Sequence, residues 1–286
     1  MTVEDGTNHP AEEFAIVARP SSAPRDVGSF ALRSIRVPLL AFIFGCGLLL
    51  FLLISPPKPW ILLLLTGLVA AGADGIFREQ PRAKLERDVA WTAPLLFLPT
   101  MMALSAGLFL EEAVEGYWLL PAVAGASVLM AAILYAENAS IDEQSQYYPA
   151  ARFMLNVGTF LTGFGFYVVV YAFEVSLVPA AITVGLVSML LAVEVLREAE
   201  GDPVRELVFA AAIGVVVAEA RWALYFLPLE SYLAGVFLLL VFYVGSGLIQ
   251  HHIDDDLSGP VIMEFSVIAT LGVVIVALGR IFETSV

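Results

Sequence analysis

The sequence predicts an all-α protein, a polytopic transmembrane helix bundle, on three observations. Of the 286 residues, 59% are apolar and only 15% are charged. The mean hydropathy is +0.87, whereas a soluble domain has about 45–50% apolar and about 25% charged residues, so too little polar surface remains to cover a water-soluble globule. The apolar residues also fall into nine runs of about 20 residues, the length at which a helix crosses the hydrocarbon core.

Each predicted helix is bounded by polar or helix-breaking residues. The loop at 55–59 has three prolines, the loop at 111–116 is acidic and ends in glycine, and Pro203, Pro228 and Pro260 stand at later breaks. Proline cannot continue a helix, because it lacks the backbone N–H and clashes with the preceding turn. The predicted spans, in chain order, are 37–54, 60–77, 91–110, 117–137, 152–173, 179–196, 205–227, 232–250 and 261–281.

The connecting segments are too short to form a folded domain of their own. We therefore predict one transmembrane helical domain over residues 36–286, preceded by a flexible polar tail over residues 1–35. A cleaved signal peptide has a basic start followed by a short apolar stretch. The tail does not show this pattern. The span at 91–110 is the weakest, since Pro94 and Pro99 interrupt it.

The basic residues predict the orientation of the bundle. If the N-terminus is cytoplasmic, the outer segments carry only Lys58 and Arg280, and lysine and arginine concentrate in the cytoplasmic loops of membrane proteins. The sequence therefore predicts a multi-pass protein of the cytoplasmic (inner) membrane with its C-terminus outside. The inner basic residues are Arg19, Arg25, Arg33, Arg36, Arg78, Arg82, Lys84, Arg87, Arg152, Arg197 and Arg205.

Small residues at four-residue spacing predict where helices approach one another closely. Small side chains allow two helix backbones to come into contact within a membrane. The second and seventh helices carry such rows, namely Gly67, Ala71 and Gly75, and Ala210, Gly214 and Ala218.

Glu219 and Arg221 are the charged residues predicted deepest within a span, and such groups are functional candidates because burying a charge in lipid is costly. They lie two residues apart, so they point to different sides of the helix and cannot simply pair. Arg221 continues a small-residue row and is followed one turn later by Tyr225, so we expect Arg221 to face another helix. Glu219 lies on an apolar face and needs a donor from another helix, or a proton. Acids predicted at the outer end could pair with Arg221: Glu111, Glu112, Glu115, Glu174 and Glu230.

A structural polar clamp between helices is the favoured interpretation of Glu219 and Arg221. The alternative is a substrate or proton site.

A second polar group is predicted at the inner end of the eighth helix, where the chain reads QHHIDDD from Gln250. If the helix continued, His251 would lie above Asp254 and Asp255. Imidazoles oriented by carboxylates suit a transition metal, although no His-Glu-x-x-His pattern is present. The favoured interpretation is a helix end capped by solvated polar residues, and the metal site is the alternative. The candidate ligands, all predicted at similar depth, are His251, His252, Asp255, Glu137, Glu194 and Glu264.

Charge and missing motifs exclude several other classes of function. The net charge of −14 argues against a nucleic-acid partner, which needs a basic surface. The single cysteine, Cys46, cannot form an internal disulfide, and the chain has no nucleophile-elbow, phosphate-loop or dinucleotide-binding pattern. We predict no cofactor apart from the metal alternative. The expected partners are the lipid bilayer and either a second copy of the chain or another membrane protein.

Two stretches resemble an uncharacterised family of bacterial multi-pass membrane proteins. The first, AEARWALYFLPL at 218–229, has a Glu-x-x-Trp-x-Leu-x-Phe-Leu-Pro-like pattern from Glu219 to Pro228. The second, FYVGSGLIQHHIDDDL at 242–257, has a Gln-His-His-like helix end from Gln250 to His252. The resemblance covers the last third of the chain. It implies a bacterial origin and a helical membrane fold, and it implies no reaction.

Three functions follow as hypotheses. The favoured one is a non-enzymatic integral membrane protein with a structural or accessory role, whose polar residues hold the bundle or a partner together. The second is a transporter or proton-coupled carrier that uses Glu219 and Arg221. The third is a membrane enzyme with a cytoplasmic-side metal near His251 and His252.

Overall fold

The computed structural model describes residues 27–78, 89–141, 145–197, 203–227 and 229–283. In these residues the regular structure is helical, with no strand. The helices are α1 (Val27–Leu53), α2 (Pro59–Phe77), α3 (Val89–Ala113), α4 (Leu119–Ser140), α5 (Tyr148–Ala172), α6 (Leu177–Leu196), α7 (Pro203–Leu224), α8 (Ser231–Ile253) and α9 (Gly259–Glu283), and a single 3₁₀ turn, Gly116–Trp118, precedes α4.

All nine of these described helices are long and apolar enough to cross a membrane. This confirms the predicted fold class, and the observed bounds follow the predicted spans closely. Pro94 and Pro99 lie inside α3, which continues through both, as neighbouring helices allow within a membrane. The predicted tail is the largest difference, because α1 begins at Val27. Residues 1–26 of that tail lie outside the described residues.

The centre of the bundle is α5, which packs against α3, α4, α6 and α8. In the most apolar stretch of α5, 61% of the residues are buried. The corresponding share in α9, which packs on α8, is 11%. The outward surface is apolar, with exposed side chains such as Phe42, Leu63 and Ile275. An apolar surface of this extent suits lipid contact, since soluble proteins rarely expose large contiguous apolar patches.

The most extensive helix contact joins α6 and α7. A Cβ added at Gly214 would lie 2.6 Å from the carbonyl oxygen of Gly185. The predicted row of Ala210, Gly214 and Ala218 therefore does lie at a close backbone approach. The row on α2 does not, because a Cβ at Gly67 or Gly75 would meet nothing within 4 Å.

Candidate functional site

Four charged side chains meet inside the bundle, where the C-terminal ends of α4 and α6 reach the N-terminal end of α5. We call Glu137, Arg152, Glu194 and Arg197 the four-charge cluster. Glu137 lies near the end of α4, Arg152 lies in the first turns of α5, and Glu194 and Arg197 lie at the end of α6. The cluster thus joins three helices through two positive and two negative groups.

The ion pairs of the four-charge cluster form a chain from α5 through α6 to α4. Arg152 Nη1 donates to Glu194 Oε1 at 3.3 Å, and Arg152 Nη2 donates to the Glu194 carbonyl oxygen at 3.1 Å. Arg197 Nη2 lies 3.0 Å from Glu194 Oε1 and donates to Glu137 Oε2 at 2.9 Å. Because Arg197 contacts both carboxylates, the four charges form one connected network.

Three of the four side chains in the four-charge cluster are buried, and the fourth, Arg197, is partly exposed. The Glu137, Glu194 and Arg152 side chains are 0%, 2% and 4% exposed, and that of Arg197 is 22% exposed. Glu137 Oε1 and Glu194 Oε2 are buried without a hydrogen-bond partner in the described part of the chain. Because the two positive and two negative groups attract one another, their interaction offsets part of the free-energy cost of removing them from water. A single buried ion has no such compensation.

The helix dipoles explain why these charges need partners from other helices. A helix C-terminus disfavours acids and an N-terminus disfavours bases. Glu137 and Glu194 lie at C-terminal ends and Arg152 lies near an N-terminal end, so each is compensated by an opposite charge across a helix interface. Arg197 lies just beyond the span Leu177–Leu196. Burial lowers its pKa, but the Glu194 and Glu137 carboxylates outweigh that effect and raise the pKa above its ordinary value.

The sequence indicated only half of the four-charge cluster. Glu137 and Glu194 were candidates as metal ligands, whereas Arg152 and Arg197 entered only the count of inner basic residues. The usable signal was that two acids and two arginines lie at helix ends predicted on the same side of the membrane.

The proposed metal candidates lie in separate places. Helix α8 ends at Ile253 and Asp255 has a φ of 54°, so the chain turns away before a helical spacing could place the aspartates beneath His251. Instead His251 Nδ1 lies 3.8 Å from Asp256 Oδ2, and the His252 ring packs edge-on against Phe209. Glu264 is exposed on α9, and the two remaining acids belong to the four-charge cluster. Among the residues described, no three His, Cys, Asp or Glu side chains are grouped to hold a metal ion.

The structure separates Glu219, Arg221 and Tyr225. Arg221 is 4% exposed, whereas Tyr225 is 58% exposed and Glu219 is also exposed. Tyr225 does not extend the buried face that carries Arg221, because α7 ends at Leu224 and the chain continues in tighter turns. The same early end places Arg221 in the last turn of α7. It is therefore shallower than the predicted span implied.

Arg221 packs against an aromatic ring. Its Cζ atom lies 5.0 Å from the centroid of the Tyr171 ring on α5. No ion pair joins it to the outer acids within the described ranges, so the expected acidic partner is replaced by this cation–π contact.

Two further features lie between the central helices. Tyr167 Oη and Ser188 Oγ are 2.7 Å apart, and Ser188 donates its one proton to the Val184 carbonyl oxygen at 2.7 Å, so Tyr167 is the donor to Ser188.

A cavity of about 300 Å³ lies between α3, α4 and α5. Its lining residues, which include Phe109 and Phe164, carry no charge, so the cavity suits an apolar chain and not a charged substrate.

Nine described helices able to cross a membrane, an apolar outer surface and internally paired charges define a multi-pass helical membrane protein. The chain belongs to the family described as "protein of unknown function (DUF5656)", whose model matches residues 38–279. This confirms the expectation of an uncharacterised family, and the match extends well beyond the last third of the chain. Comparisons with curated proteins and with solved structures gave no match.

Proposed function

We propose that this chain is a non-enzymatic integral protein of a bacterial cytoplasmic membrane with a structural or accessory role, and that the four-charge cluster is the clamp that holds α4, α5 and α6 together. The observation that carries the proposal is that these buried charges contact one another. An ionisable group that binds a substrate must reach the space that the substrate fills. Here the carboxylates and guanidinium groups are directed at each other, and the cavity between α3, α4 and α5 has no charged lining.

The arrangement of the basic residues supports a cytoplasmic position for the clamp. Arg152 and Arg197 belong to the side that carries nearly all of the lysines and arginines in the sequence, and this side is cytoplasmic by the positive-inside rule. With that orientation the N-terminus is cytoplasmic and the C-terminus is outside. An accessory role implies a partner in the same membrane, either a second copy of this chain or another membrane protein.

The test compares stability with proton flux in one set of variants. Full-length protein is reconstituted into liposomes with an internal pH dye, and Glu137→Gln and Glu194→Gln are measured beside the wild type and Glu264→Gln. Glu264 is the matched control, because it is an exposed acid in another helix.

We expect wild-type liposomes to be no more proton-permeable than empty ones, and the two cluster variants to unfold at lower temperature while the control does not. Proton conductance in the wild type that Glu137→Gln or Glu194→Gln abolishes would contradict the structural role and favour the carrier.

A further inference from the structure

Arg221 is a buried cation for which the described part of the chain supplies no ion pair. Its side chain lies at the end of the bundle opposite the four-charge cluster, and Nε and Nη1 are buried without a hydrogen-bond partner in the described residues. A guanidinium has five N–H donors and keeps its charge at all physiological pH values. A buried charge that has no opposite charge beside it is strongly destabilising. An anionic ligand bound to Arg221 would therefore stabilise the folded protein.

Tyr171 holds the guanidinium in place, and the connection between α7 and α8 holds Tyr171. The ring lies under Arg221 with 5.0 Å between Cζ and the ring centroid. The Tyr171 hydroxyl donates to the Leu227 carbonyl oxygen at 3.1 Å and accepts from the Leu229 backbone N–H at 3.3 Å. The fixed ring thus holds the Arg221 guanidinium beside the connection between α7 and α8.

The depth of Arg221 identifies the kind of anion. It precedes the end of α7 by three residues, or about 4.5 Å at 1.5 Å per residue. The exposed aromatic side chains nearby are Trp222, Tyr225 and Phe226, and exposed aromatic rings gather at the level of the lipid headgroups. The abundant anion at that level is phosphate, which a guanidinium binds through two parallel N–H donors.

We propose that Arg221, supported by Tyr171, binds a phosphate group at this end of the bundle, and that the phosphate is that of a phospholipid headgroup. The lipid chains lie along the exposed apolar surface of α7, where Val215 and Trp222 are exposed. The site is independent of the four-charge cluster, so the two proposals can fail separately.

The test titrates full-length protein in detergent with phosphatidylglycerol and counts bound lipid by native mass spectrometry. Diacylglycerol with the same chains removes the phosphate, and inorganic phosphate supplies it without the chains. Arg205→Gln is the matched control, because Arg205 lies on the same helix and its Cζ lies 5.5 Å from the Phe209 ring centroid, but it is exposed.

We expect Arg221→Gln to weaken phosphatidylglycerol binding by at least about tenfold, the effect of losing a charge-assisted hydrogen bond. We expect Arg205→Gln to bind phosphatidylglycerol as the wild type does. We expect diacylglycerol, which lacks the phosphate, not to bind. Equal affinity of Arg221→Gln and the wild type would overturn the proposal. Binding of inorganic phosphate that depends on Arg221, without binding of the lipid, would overturn the lipid assignment and keep the phosphate site.

Arg221→Lys decides the matter if Arg221→Gln does not fold. Lysine keeps the charge and loses the planar pair of donors, so we expect weaker phosphatidylglycerol binding in a folded protein. An unchanged affinity of Arg221→Lys would overturn the proposed two-donor contact.

Discussion

Arg197 Nη2 donates to Glu137 Oε2 at 2.9 Å across 60 residues of chain, and the same nitrogen lies 3.0 Å from Glu194 Oε1. One guanidinium thus links the ends of α4 and α6, and Arg152 extends the link to α5. The arrangement makes each member dependent on the others, because removing one leaves the buried cluster with an unbalanced net charge.

Arg197→Gln should destabilise the protein far more than Arg78→Gln. Arg197 compensates two sealed carboxylates, and breaking a buried pair costs about 3–5 kcal/mol. Arg78 pairs with Asp74 at 2.6 Å within one helix end, but its side chain is 52% exposed, and exposed pairs contribute about 0–1 kcal/mol. Unfolding in detergent with increasing sodium dodecyl sulfate measures both changes. Similar losses for the two variants would show that the buried position of Arg197 has no special weight.

Ser188→Ala should cost more than Tyr167→Phe, although both break the same 2.7 Å hydrogen bond. Ser188→Ala leaves the Tyr167 hydroxyl buried without a partner, which costs about 1–3 kcal/mol, whereas the net contribution of a hydrogen bond is about 0.5–1.5 kcal/mol. Tyr167→Phe leaves Ser188 bonded to the Val184 carbonyl oxygen. The thermal unfolding midpoints of the two variants give the order, and the reverse order would contradict this account of the hydrogen bond.

Gly214→Ala should destabilise the contact between α6 and α7, and Gly67→Ala should not weaken the bundle. The added methyl at Gly214 would lie 2.6 Å from a backbone oxygen, so the two helices must separate, and overpacking costs about 1–3 kcal/mol. At Gly67 the methyl meets open space, and alanine is the better helix former by about 1 kcal/mol. Thermal unfolding of the two variants in detergent tests this pair, and a stable Gly214→Ala protein would contradict the close approach.

Reporter fusions should place the two ends of the chain on opposite sides of the membrane. An odd number of spans and the inner basic residues predict that a green fluorescent protein is bright at the N-terminus. Alkaline phosphatase should be active at the C-terminus, because it folds only outside the cytoplasm. Alkaline phosphatase that is active at the N-terminus would overturn the predicted orientation. A C-terminus at which the phosphatase is inactive and the fluorescent protein is bright would do the same.

The sequence predicted the helices well because the length of an apolar run is itself the physical requirement for crossing a membrane. Pro94 and Pro99 did not divide α3, since helices in a membrane tolerate proline when neighbours satisfy the freed backbone groups. The small-residue rows were less informative. Gly214 lies at a close contact and Gly67 does not, because four-residue spacing identifies a helix face without saying whether another helix covers it.

The charged residues could be found from the sequence, but their partners could not. Glu194 was predicted near a helix end, yet only the packing of α5 against α6 brings Arg152 within 3.3 Å of its carboxylate. Arg221 lies nearer to a helix end than the predicted span implied, because α7 ends at Leu224 and not at the apolar residues that follow. Pairing and depth both depend on which helices are neighbours, and hydropathy carries no information about that.

The most direct test of the clamp is a double-mutant cycle on Arg152 and Glu194, with Arg152→Met, Glu194→Met and the double variant unfolded in detergent under the same conditions. The account predicts that each single change costs about 3 kcal/mol or more, and that the double variant is more stable than the sum of the two losses by about 1–3 kcal/mol. Losses that add within about 0.5 kcal/mol would contradict the claim that these charges hold the helices together.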